Sequence, residues 1–186
     1  MGGQVSALID RAIQEAGLEP VLGARRAGAL SPAQVEQLRT SDLLVLGAIA
    51  DRVRAEEVGD VVRIFTDDTP PPAADVVVLP PPGREMTGLD LLREVAMART
   101  AGPRGLCVRV DWTRCGLELA QIAMGFGANE LAGRFANKRG LPLAEGEKLG
   151  VGKKSRLEAA DIVKRKELEG FVRRAGRTPT FVQETP

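Results

Sequence analysis

The 186-residue chain contains no histidine and only two cysteines, and these shortages remove whole classes of chemistry. Enzymes that activate a serine, cysteine or threonine nucleophile usually orient it with histidine, so no triad of that kind can be assembled here. Cys107 and Cys115 stand eight residues apart, unlike the paired spacings of zinc sites, and two thiols in this length do not make a disulfide framework. No run of about 18 apolar residues occurs, so no membrane-spanning helix is expected. Charge of either sign is not in excess: 26 basic against 25 acidic residues leave +1. No global field then points to nucleic acid or an anionic membrane, and neither is expected as a partner. The opening MGGQVSALIDRAIQEAG carries early charges and no uninterrupted apolar core, unlike a signal peptide, so a cytoplasmic location is expected.

What is present is the composition of one ordinary globular domain, 44% hydrophobic and 27% charged. The expectation is a single α/β domain over residues 1–186. It would have a helical N-terminal part over 1–60, a β/α core over 61–133, and a basic loop with a C-terminal helix over 134–186. Val5, Leu8, Ile9 and Ile13 recur at helical spacing within 4–16, and Gly17 is a natural stop. Ser31, Pro32 and Gln34 form a loosened capping-box start for a second helix. A third begins at Ser41 or Asp42, with Leu43, Leu46, Ile49, Ala50 and Val53 as its apolar stripe.

Beyond residue 60 the character changes. VVRIFT (61–66) and DVVVL (75–79) are short β-branched runs that predict strands. Six of the twelve prolines fall in two triplets around them, which favour extended geometry and read as stiff surface connectors or as a partner-binding motif. From Thr87, a cap, a helix carries Leu89, Leu92, Val95 and Ala96 inward; GLCVRVDW (105–112) alternates as a strand, and GLELAQIAMGFG is the next helix. Strand and helix in alternation predict parallel β/α architecture. Residues 133–154 are glycine-rich and basic without a period, and a last helix is predicted over 156–176, with an extended tail after it.

The phrase GVGKKS (150–155) lacks the spacing of a phosphate loop, because Glu147 stands where a glycine is needed. It reads as a solvated basic loop. Asp111, Trp112 and Arg114 sit where a strand hands over to its helix, and ligands of α/β sheets gather at such carboxyl ends. For Trp112, the sole tryptophan, packing and a ligand platform are both open. Asn129 and Glu130 read either as helix-end capping or as ligand contacts. Asp67, Asp68, Asp111 and Glu130 leave paired-carboxylate chemistry open, although nothing in the sequence selects two of them.

Three phrases together carry a resemblance. SDLLVLGAIADRVRAEEVGDVVRIFT (41–66), TGLDLLREVAMART with VDW and GLELAQIAMGFGANELAG (87–133), and RKELEGFVRRAGRTPTFVQ (165–183) resemble, in order and polarity, segments of the radical S-adenosylmethionine enzymes of the futalosine route to menaquinone. These are the aminofutalosine synthase and dehypoxanthine futalosine cyclase relatives. In that family the strand corresponding to VVRIFT leads into a Cys-x3-Cys-x2-Cys loop that holds an iron–sulfur cluster. Here TDDTPPPAAD follows instead, and the closing turn has Ala128, Asn129 and Glu130 with Gly133-Arg134 in place of the family's acidic pair and Gly-Thr.

The resemblance implies a shortened, non-catalytic relative with no cofactor and no metal. It would act as a partner or regulatory subunit, as a homo-oligomer or with a full-length family member. Two alternatives stand beside it: a nucleoside-like small-molecule binder using Asp111, Trp112, Arg114, Asn129 and Glu130, or one half of a split enzyme. Three predicted strands cannot close a barrel, so a small open parallel or mixed sheet wrapped by the terminal helices is the expected fold.

Overall fold

A computed structural model describes residues 2–65, 73–133, 135–136 and 163–182. The first proline triplet, Asp67, Asp68, Arg134 and the GVGKKS phrase lie outside the described residues. Four helices come first: α1 (Gly2–Glu15), α2 (Glu19–Ala27), α3 (Pro32–Thr40) and α4 (Leu43–Glu57). Strand β1 (Val61–Phe65) and strand β2 (Val76–Leu79) follow. Then come α5 (Gly88–Ala101), β3 (Cys107–Asp111), the single turn α6 (Trp112–Cys115), α7 (Leu117–Met124) and β4 (Glu130–Ala132). The last elements are β5 (Phe135–Ala136), β6 (Val163–Lys164), α8 (Arg165–Arg174) and β7 (Thr178–Phe181).

Caps set the helix starts where the side chains allow them. Ser31 accepts from Gln34 N–H while the Gln34 side chain reaches back to the Ser31 backbone, a complete capping box. Asp42, not Ser41, caps α4 by accepting from Leu44 and Val45 N–H, and Thr87 caps α5 through Asp90 N–H. Helix α2 was not expected. Its buried stripe is Val21, Leu22 and Arg25, so an arginine interrupts the apolar period that would have announced it. The guanidinium is held by both oxygens of Glu57 at 2.9 Å and by the Gly102 carbonyl at 2.6 Å.

Five strands, not three, form one open all-parallel sheet in the order β2-β3-β4-β1-β7. The α/β class and the open parallel sheet are as expected; the strands missed are β4, read as a turn, and β7, read as a tail. Pro179 explains the second. Thr178 N–H donates to Asp60 O and Val182 N–H to Ile64 O, so alternate residues of β7 face β1 and Pro179 turns its donor-free nitrogen to the open edge, where a proline is tolerated. The separate pair β5–β6 is parallel too. Its strand β6 occupies 163–164, inside the stretch predicted as one helix from 156.

Register divides the sheet into two faces. Val62, Ile64, Leu79, Val108, Val110 and Leu131 are buried in one core with α4, α5 and α7, and Leu168 and Val172 of α8 join them. Burial of this kind is the main favourable term in folding. Of the two predicted stripes, Leu8 and Leu89 are 67% and 68% exposed, whereas Ile13 and Leu92 are buried as expected and Leu91 joins them in the core. The opposite face carries the charged and polar side chains, and it positions the first part of the site.

Candidate functional site

Adjacent strands place Arg63, Glu130 and Arg109 side by side, since Glu130 is in register with both arginines. Glu130 is only 1% exposed. Its Oε2 accepts from Arg109 Nε at 2.8 Å, and its Oε1 is ion-paired with Arg63 Nη2 outside hydrogen-bond geometry. Arg109 also lies 4.0 Å over the Phe65 ring, a cation–π contact that helps a desolvated guanidinium. Arg63 reaches Cys107 Sγ as well. Burial, with Glu130 nearby, raises the Cys107 thiol pKa above its ordinary value.

Asn129 serves a different group. Its Oδ1 accepts from Arg99 Nη2 at 2.7 Å and from Val108 N–H at 2.9 Å. Arg99, fully buried, also donates through Nε to the Gly127 carbonyl and through Nη1 to the Leu106 carbonyl. Burial lowers its pKa to about 10, which still leaves the cation protonated at neutral pH. Gly127 is required for this approach: at φ +103, a Cβ there would meet the Arg99 side chain at 2.8 Å.

The carboxyl ends of the strands hold Asp111, Trp112 and Arg114. Asp111 Oδ1 accepts from Thr113 N–H at 3.0 Å and from its hydroxyl at 2.6 Å, while Oδ2 lies 3.2 Å from Arg114 Nε. Arg114 Nη1 donates to the Pro80 carbonyl at 3.0 Å. Trp112 is buried and packs on Gly133, whose φ of +150 and lack of a side chain admit the indole; a Cβ there would fall 2.3 Å from Cε2. Among the described residues the buried indole N–H has no hydrogen-bond partner. Beside Arg114 a cleft of about 750 Å³ opens between the residues after β2 and the α6–α7 turn. Cys115 lines it, with its thiol pushed up to about 11 by burial and by Asp111.

The five residues proposed from sequence therefore fall in three places. Asp111 and Arg114 meet at the carboxyl ends, with Arg114 in the cleft wall. Trp112 is a packing residue against Gly133. Asn129 and Glu130 lie at the beginning of β4, where Asn129 holds Arg99 and Glu130 sits in the sheet. The turn 125–129 enters a strand from its amino end, the side away from the α/β ligand position. Sequence reasoning passed over Arg63, Arg109 and the cleft residue Arg84. An arginine inside the alternating run CVRVD was the available signal.

No family model matches the chain, and no curated protein is similar to it in sequence. No helix among the described residues is long and apolar enough to cross a membrane. Among the described residues no group of three or more histidine, cysteine, aspartate or glutamate side chains is placed to hold a metal ion.

Proposed function

We propose that this chain works by binding and not by turnover, as a partner or regulatory subunit in an assembly with its own copies or with a complete enzyme of the family it resembles. One observation carries the reading: the acids and thiols at the candidate positions are committed to internal partners. Glu130 is held between two arginines. Asp111 is taken up by Thr113 and Arg114. Both thiols have raised pKa values, which keeps them protonated and poorly nucleophilic at neutral pH. A general base or nucleophile needs a free, tuned group.

The open sheet supports the assembly half of the reading. Among the described residues, edge strand β2 pairs only with β3 and edge strand β7 only with β1, and natural proteins cover or blunt such edges. Anaerobic reconstitution of the pure protein with iron and sulfide tests the catalytic side. No stoichiometric cluster absorbance is expected; a stoichiometric cluster overturns the proposal. Turnover that emerges only on mixing with a cysteine-motif protein supports the split-enzyme alternative instead.

A second reading, a small-molecule binder, is favoured by the cleft at the carboxyl ends of β2 and β3. Its volume lies in the range of ligand sites, about 300–1,000 Å³.

A further inference from the structure

The cleft beside Arg114 is lined by groups that the fold leaves only partly used. One wall is apolar, made by Met86, Leu91, Leu119 and Cys115. Two guanidiniums, Arg84 and Arg114, and the first residue of α5, Gly88, supply the polar lining together with the single carboxylate of Glu85. Prolines 80 and 81 contribute no N–H.

Each donor has spare capacity. Arg114 is fixed through Nη1 and Nε, by Pro80 O and Asp111, which orients the guanidinium plane and leaves Nη2 without a partner among the described residues. Arg84 is exposed, and its one ion-pair partner among the described residues is Glu94, at 3.7 Å, beyond a hydrogen bond. Thr87 Oγ1 satisfies the Asp90 amide, whereas the amide of Gly88, a lining residue at the positive end of a 14-residue helix, has no acceptor among the described residues. Asp111 and Glu94, the acids that pair with these arginines, are outside the lining. Among the charged side chains of the cleft wall, two guanidiniums therefore stand against the single carboxylate of Glu85.

The geometry points to a binding site for a small organic oxyanion, a carboxylate or phosphate monoester on an apolar body, with its oxygens at Arg84, Arg114 Nη2 and the Gly88 amide and its body against Met86 and Leu119. Two planar guanidiniums suit such a group because oxyanions accept charge-assisted hydrogen bonds in their plane. This deepens the small-molecule reading above and rests on it.

Amide NMR titration of the full chain with matched probes tests it: benzoate against benzamide, phenyl phosphate against phenol, and inorganic phosphate alone. The expected result is that benzoate or phenyl phosphate shifts the Gly83, Gly88 and Leu119 amides, while the neutral twin binds at least about tenfold more weakly. Arg84→Gln, at an exposed residue whose side chain makes no hydrogen bond among the described residues, is expected to weaken the anion about tenfold with the spectrum elsewhere unchanged. Benzoate and phenyl phosphate separate the two oxyanion sources. Acid and neutral twins binding equally would overturn the oxyanion assignment and leave the small-molecule reading standing. Inorganic phosphate binding as tightly as phenyl phosphate would overturn the apolar half of the site, and no shift at these amides with any probe at millimolar concentration overturns both.

Discussion

Arg109 and Glu130 face each other from neighbouring strands, Nε to Oε2 at 2.8 Å, and both are almost wholly removed from water. Removing one partner of a buried pair strands the other charge, whereas replacing both by apolar groups of similar volume is often close to neutral. Glu130→Ala is therefore expected to cost about 3–5 kcal/mol in urea unfolding. The double variant Arg109→Met with Glu130→Leu is expected to recover most of that loss. Arg63, half exposed, can rehydrate in either background. Equal loss in the single and double variants would mean that packing and not the charge pair holds this row.

The cysteines set an alkaline limit on stability. Both thiols have folded pKa values above the ordinary 9.0, Cys115 at about 11. Where pH lies between the unfolded and folded values, the native state holds protons that the unfolded chain has lost. Stability then falls as pH rises from about 9 to about 11, by up to about 2 kcal/mol for Cys115. Arg99, lowered to about 10, acts in the opposite direction from about pH 10 upward, because there the unfolded chain holds the extra proton. Cys115→Ala is expected to flatten the fall between pH 9 and 10 in a series of urea melts. A profile identical to that of the parent chain would show that Cys115 ionises in the native state as freely as in the unfolded one.

Arg177 ties the edge strand to the body of the protein. Its guanidinium pairs with Asp51 and lies 3.9 Å from Asp60, the two acids that also hold buried Arg54. In Arg177→Ala, hydrogen exchange at Thr178, Thr180 and Val182 is expected to rise at least tenfold, while Val108, Val110 and Leu131 keep their protection. Uniform loss across the sheet would show that β7 and the central strands open as one unit.

The parts of this fold that were readable from sequence are those with a clean period and a side-chain cap. Thr87 with Leu92, Val95 and Ala96 announces α5, and Leu46, Ile49, Ala50 and Val53 announce α4. Buried arginines hid the rest. Arg25 breaks the stripe of α2, and Arg99 needs Gly127 and Asn129 for reasons invisible without the tertiary contact. β4 has three residues, too few for a period of two to stand out. Of the candidate site, Asp111 and Arg114 were legible because a strand end is a local feature. The cleft was not, since its two walls, residues 80–91 and 114–119, are distant in sequence and are brought together by the pairing of β2 with β3.

The central claim, that the chain acts within an assembly, is tested most directly by sedimentation velocity of the purified protein over a range of concentrations, alone and mixed with a complete enzyme of the proposed partner family. The account predicts a boundary heavier than the 19.8 kDa chain, either as a self-associated species or as a stoichiometric complex with the enzyme. A chain that sediments as a monomer at every concentration and leaves the enzyme's boundary unmoved would contradict it.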